Sequence, residues 1–160
     1  MTLKISLPAI GFLLFCLPLQ AGLSSSASET LPQPDPSLLP QDVVEIVINA
    51  LGRNDHPHLN AGIETTFNFA SPENKRNTGP LPKFIRMVKT HPYEEMVDHR
   101  ASELSEVVQV GNNAYVLVKL TTIEGGLAVY AFRLSKQASG DFQDMWMTDA
   151  VWPVSKAQGF

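Results

Sequence analysis

A single cysteine, Cys16, in 160 residues leaves no internal disulfide and no cysteine-rich zinc site. Charge is scarce at 18%, and 16 acidic against 12 basic side chains give −4, the wrong sign for a general nucleic-acid binder. Neither a G-x-G-x-x-G nor a G-x-x-x-x-G-K-[ST] stretch occurs, so both glycine-rich phosphate cradles are missing. A G-x-S-x-G nucleophile elbow, an N-x-S/T acceptor and an internal repeat are also lacking. Helix and strand patterns do not alternate as a doubly wound sheet requires. What is present is 44% hydrophobic residues, too many for a disordered tail, in a length that suits one domain.

The chain opens like an export signal. After Lys4, Ile5–Leu19 holds 11 apolar residues in 15, which fits a signal h-region and falls short of the roughly 20 residues a spanning helix needs. Pro8 and Pro18 weaken a membrane helix further, and Ser25 and Ala27 fit a small-x-small cleavage rule. A signal peptide over 1–27, cut after Ala27, is therefore expected. It removes Cys16, an apolar member of that run, and takes the charge from −4 to −5 with the loss of Lys4. The expected product is exported to a periplasm, the extracellular space or a thylakoid lumen, with no stable membrane span after cleavage. Residues 28–40 carry four prolines and read as an extended spacer, with Leu38 and Leu39 able to dock on the domain. A single domain over 41–154 and a short tail over 155–160 complete the organisation.

Within the domain helices come first. Val43, Ile46, Val47 and Ala50 form one stripe of a helix in Gln41–Leu51, closed by Gly52. Asp55 reads as the N-cap of a second helix carrying Leu59, Ile63, Phe67 and Ala70, about fourteen residues long. Ser71-Pro72-Glu73 starts a helix that Gly79 and Pro80 end within two turns, and Pro82–Thr90 makes the third main helix, burying Phe84, Ile85 and Val88. The period then changes to two. Strands are expected within His99–Val110, with a bulge or change of face near Val107, then in Ala114–Ile123, Leu127–Leu134 and Phe142–Trp152. Gly111-Asn112-Asn113 and Glu124-Gly125-Gly126 are the intervening turns. The pattern is α+β, three N-terminal helices packed on a four-stranded antiparallel meander sheet.

That order of elements resembles the cystatin-like cone of the nuclear transport factor two-like superfamily, which includes ketosteroid isomerase and scytalone dehydratase. More narrowly, Phe69-Ala70-Ser71-Pro72, Phe84 with Met87, His91-Pro92-Tyr93 and Trp146-Met147-Thr148-Asp149 resemble the domain-of-unknown-function 4864 family, over roughly Gln41 to Val154. The superfamily resemblance implies a cavity lined by acids on the last strand, and the narrower family carries no assigned chemistry.

The candidate residues follow from the same patterns. Asp149 shares its parity with Met145, Met147 and Val151, and a carboxylate on an apolar strand face needs a partner or a polar pocket. A bulge at Thr148-Asp149 would instead turn it outward. Tyr130, in parity with Ala128, Phe132 and Leu134, is placed to offer a phenol beside it, and Trp146 is the third candidate ligand-binding side chain. No catalytic residue, metal or cofactor is assigned. His56-Pro57-His58 with Asp55 reads as an exposed helix entry rather than a metal site, because the two rings flanking a proline diverge. Asp98-His99 reads as a capping or surface pair. Lys75, Arg76, Lys83, Arg86 and Lys89 read as a solvated face.

Trp146 and Trp152 fall on the parity opposite to Met145 and Met147, and Tyr115 and Leu117 alternate against Val116 and Val118. Both sheet faces are thus apolar, and a second apolar face expects a homodimer, another protein or a closed cavity. The sequence supports an exported binding or accessory module that dimerises or holds a small apolar ligand. Its rival is a small pocket enzyme, isomerase- or dehydratase-like, using Asp149 and Tyr130.

Overall fold

A computed structural model describes residues 30–154; the expected leader with Cys16, its cleavage point and the C-terminal tail lie outside the described residues. The architecture is α+β, with four α-helices followed by an antiparallel sheet of five strands.

Helix α1 (Pro40–Leu51) begins on a proline at its first position, where the missing N–H is no loss. Its Asp42 carboxylate accepts the Leu39 amide at 2.8 Å. Val43, Val44, Val47, Ile48 and Leu51 are all buried, a stripe wide enough to touch both the sheet and α2 (Ala61–Asn68). Of the spacer residues, Leu38 packs against the core while Leu39 stays exposed.

Helix α2 is shorter than the periodicity implies. The Asp55 side chain accepts the Asn60 amide at 2.9 Å and so closes a turn rather than capping a helix. Asn60 sits in the left-handed region at φ 63° and ends that turn, leaving Leu59 exposed. The capping acceptor is Asn54: its Oδ1 takes the Ile63 amide at 3.1 Å and its carbonyl takes that of Gly62 at 2.8 Å. Asn54 is itself buried, so this cap is an internal strut between α1 and α2.

The expected three helices become four because the Ser71-Pro72 start forms a full element, α3 (Pro72–Thr78), with Ser71 Oγ accepting the Asn74 amide at 3.2 Å. Helix α4 (Leu81–Val88) follows and buries Phe84 and Val88, and a 3₁₀ turn (Glu94–Met96) leads to the sheet.

The first expected strand divides into β1 (Ala101–Leu104) and β2 (Val108–Val110), both paired with β3 (Asn113–Thr121), so four expected strands become five. At the break Ser105 substitutes for ladder partners: its amide donates to the Leu117 carbonyl at 2.8 Å and its Oγ accepts the Leu117 amide at 2.9 Å. Next come β4 (Leu127–Lys136) and β5 (Trp146–Pro153), which starts late because Asp141 to Asp144 are turn. Ala114, Val116, Val118 and Leu120 of β3 face Leu134, Phe132, Tyr130 and Ala128 of β4 in one buried layer beneath the helices.

The β5 ladder carries a bulge at Asp149. Leu134 pairs with Thr148 while Arg133 pairs with Ala150, and Asp149 is skipped. Side-chain parity therefore reverses there, which corrects the face assignment read from the sequence. Trp146 and Thr148 join Val151 on the helix-covered face, whereas Met147 and Trp152 lie on the outer one. The two tryptophans are on opposite faces.

No helix among the described residues is long and apolar enough to cross a membrane.

Candidate functional site

The cavity at the edge of β5 arises from how the helical layer is tied to that strand. The stretch joining α2 to α3 runs beside β5 as a one-residue parallel bridge between Ala70 and Thr148. There the Thr148 amide donates to Phe69 O at 2.8 Å, and Thr148 O accepts from the Ser71 amide at 2.8 Å and Asn74 Nδ2 at 3.0 Å. Past this clamp the bulge turns β5 away. A space of ≈ 220 Å³ opens between Thr148–Val151 and helices α2, α3 and α4.

The apolar lining of the cavity is made by Phe84, Met87, Val88, Met96 and Val151. Its polar lining residues include Asn74, Asn77, Thr78, Thr148 and Asp149. Tyr93 also lines it, its hydroxyl donating to Val151 O at 3.3 Å. Thr148 is 3% exposed, and its Oγ1 has no hydrogen-bond partner. A buried hydroxyl in that state is unusual, since nearly all such groups are paired. Asp149 is mostly buried and faces the Arg133 guanidinium across 3.8 Å. Arg133 is half-exposed, so this pair contributes little to stability.

Of the three side chains singled out in the sequence, the structure brings only Asp149 to the cavity. Tyr130 is buried in the core, and its hydroxyl donates to Pro92 O at 2.7 Å. It lies opposite Pro153, about 11 Å along the ladder from the bulge at the usual rise per residue. Burial, with the nearby Glu95 and Glu94 charges, pushes that phenol up to about 12. Trp146 is also core, opposite Lys136, and does not line the cavity. The phenol that does is Tyr93, which the alternation argument passed over because it lies in a turn. Thr148 was hidden for a different reason: a regular strand would have put it on the other face.

The remaining polar candidates have structural roles. The Asp98 amide donates to Leu51 O at 2.9 Å and its Oδ1 accepts the Asn54 amide at 3.2 Å, closing the C-terminus of α1. His99 is buried against Gly52, with Nδ1 at 2.8 Å from Met96 O. Lys75 departs from the expected solvated face. Its ammonium donates to Asn68 O at 3.0 Å and sits 4.9 Å from the Phe142 ring centre, and burial pulls its pKa down. Among the described residues no three His, Asp or Glu side chains converge as a metal would require.

A family model described as a domain of unknown function, DUF4864, matches residues 39–158. The chain belongs to the DUF4864 family. No curated protein and no solved structure matches it. Six of the thirteen residues that carry the DUF4864 resemblance, Ala70, Phe84, Met87, Tyr93, Thr148 and Asp149, line this one cavity.

Proposed function

We propose that this DUF4864 chain is a non-catalytic binding module that holds a small, largely apolar molecule between its helical layer and β5. The observation that carries the reading is the cavity itself, whose lining combines the apolar Phe84, Met87, Val88, Met96 and Val151 with a few polar side chains. Such a mixture of apolar lining with a few placed polar groups is typical of small-molecule sites. The enzyme alternative loses its pair, because the Tyr130 hydroxyl is engaged by Pro92 and not by anything in the cavity. A cystatin-like cone in the nuclear transport factor two-like superfamily fits the helices-then-meander order, and export fits the apolar leader.

Met87 and Met96 line the cavity and Met147 does not, so their methyl groups supply the test. Titrating toluene into the protein is expected to move the Met87 and Met96 methyl resonances and leave that of Met147 in place. No shift at either lining methionine would end the reading.

A separate feature supports self-association. On the outer sheet face Leu117, Ala131 and Trp152 form one row across three strands, with Tyr115 and Val108 beside it and Leu127 beyond. All but Ala131 are well exposed. Charged residues flank the row on both sides, Arg133 on one and Lys119 with Glu103 at 3.1 Å on the other. A second copy related by a two-fold axis meets the apolar row with the same row and has charges of both signs at the rim. Four strands of this length offer a footprint of about 500 Å² per chain, at the low end for specific interfaces. The expected dimer is accordingly weak, dissociating in the micromolar range. Sedimentation velocity is expected to show mass rising with concentration in the native chain and a monomer throughout for Leu117→Lys. A native chain that stays monomeric to several hundred micromolar would rule the dimer out.

A further inference from the structure

Away from the β5 cavity, we propose that the hollow between the end of α1 and the start of β1 is an anion site for hydrogen phosphate. Arg53 and Arg100 supply the charge, and His99 Nε2 accepts the anion's remaining O–H. This hollow of ≈ 300 Å³ is lined by both arginines and His99, with Gly52, Asn49 and Ser102 among their neighbours. No acidic residue lines it; Glu45 belongs to the adjoining hollow further along α1. Backbone bonds join the two segments: the Asp98 amide donates to Leu51 O at 2.9 Å, and Asp98 Oδ1 accepts the Asn54 amide at 3.2 Å. Among the described residues neither guanidinium has an ion pair or a side-chain hydrogen bond. The carbonyl end of α1 adds about half a negative charge there, which two guanidiniums outweigh.

His99 is only 9% exposed, and its ring is half used. Nδ1 lies 2.8 Å from Met96 O, which can only accept, so Nδ1 carries the proton and Nε2 of the neutral ring keeps a lone pair. Nε2 has no hydrogen-bond partner among the described residues, yet it is not sealed from solvent. The side-chain atoms there that are both sealed and unpartnered are Asn60 Oδ1 and Thr148 Oγ1. Gly52 makes the seat for this ring. Its φ of −67° is ordinary right-handed helical backbone, so conformation does not require a glycine. Space does, because a Cβ there would stand 2.9 Å from His99 Cε1 and 3.1 Å from Nε2.

The occupant has to meet both features. The arginines want negative oxygens, and Nε2 wants a donor. Sulfate and carboxylates bring charge without a proton, and an alcohol brings a proton without charge. Hydrogen phosphate brings both, since its last O–H survives above neutral pH. A phosphate monoester has lost that proton by then, so the free ion is favoured over a phosphorylated molecule.

The experiment titrates phosphate, sulfate and methyl phosphate into the native chain at pH 8 and constant ionic strength, following the His99 Cε1–H resonance. Phosphate is expected to give a saturable shift in the millimolar range and to bind about tenfold more tightly than the other two. Arg53→Gln and Arg100→Gln are each expected to weaken phosphate severalfold, and Lys83→Gln, on α4, to leave it unchanged. Gly52→Ala, which presses a methyl group against Nε2, is expected to erase the preference for phosphate and keep the weaker binding of sulfate. An unmoved Met147 methyl resonance reports that the variants stay folded. Equal affinity for the three anions, or tighter binding of methyl phosphate, would overturn hydrogen phosphate as the occupant. A shift that only tracks salt, or arginine variants that bind phosphate as the native chain does, would overturn the site itself.

Discussion

Gly62→Ala is expected to destabilise the protein by about 3 kcal/mol or more, measured as a shift in the urea midpoint. A Cβ at this position would stand 2.2 Å from Ala50 O, 2.7 Å from Ala50 C and 2.9 Å from Asn54 Cα. All three are backbone atoms, so no side chain can swing aside. Relief requires α1 and α2 to move apart, and that stretches the bonds that tie Asn54 to Gly62 and Ile63. Overpacking usually costs 1–3 kcal/mol, and losing a buried helix cap adds about one more. Gly111→Ala makes the contrast. That glycine has φ 59° but nothing within 4 Å of its would-be Cβ, so only backbone strain of about 1 kcal/mol applies. Similar losses in the two variants would mean that α1 and α2 do not cross as closely as described.

The second large effect concerns Tyr130 and depends on pH. Its phenol is pushed up to about 12 in the fold, chiefly by burial, whereas in the unfolded chain it ionises near 10. Between those values the unfolded state releases a proton that the folded state keeps. The contribution of Tyr130 is therefore whole below pH 10 and is lost as pH climbs to 12, a fall of about 2–3 kcal/mol. Tyr130→Phe is expected to cost about 1 kcal/mol at pH 7, for the bond to Pro92 O, and to lack this extra slope. Lys75 contributes with the opposite sign, because burial lowers its pKa and the unfolded chain holds that proton to higher pH. Lys75 is present in both proteins and drops out of the difference. Parallel stability curves for the two between pH 9 and 12 would refute the role given to Tyr130.

Periodicity carried the architecture a long way. The wide stripe of α1, the capping serine of α3 and the alternation of β3 are strong local signals, and each element forms where those signals lie. Two misreadings came from side chains serving a neighbour instead of their own segment. Asp55 has the chemistry of an N-cap but is used by the turn before the helix, and the true cap, Asn54, reaches Ile63 from nine residues away. No pattern of spacing along one helix reveals such a strut. The site was legible in one residue of three for a related reason. Alternation on β5 assumes a regular ladder, and the bulge at Asp149 exchanges the faces of everything before it. Asp149 still stood out, because a lone acid among apolar strand residues is conspicuous however the strand is turned. Thr148 and Tyr93 are ordinary residues until the third dimension places them at the same space.

The short bridge between Ala70 and Thr148 also bears on how copies of this chain behave in crowded surroundings. A sheet is exposed to runaway strand addition along its free edges. Here the α2–α3 junction occupies one stretch of the β5 border, the Tyr93 hydroxyl engages Val151 O further along, and Pro153 lacks the amide a neighbouring strand would need. On the opposite border the interruption at Ser105 splits the line into pieces of four and three residues. Neither border offers a long unbroken template, so growth into fibrils through lateral strand pairing is disfavoured, and the self-association proposed above is left to the broad outer face.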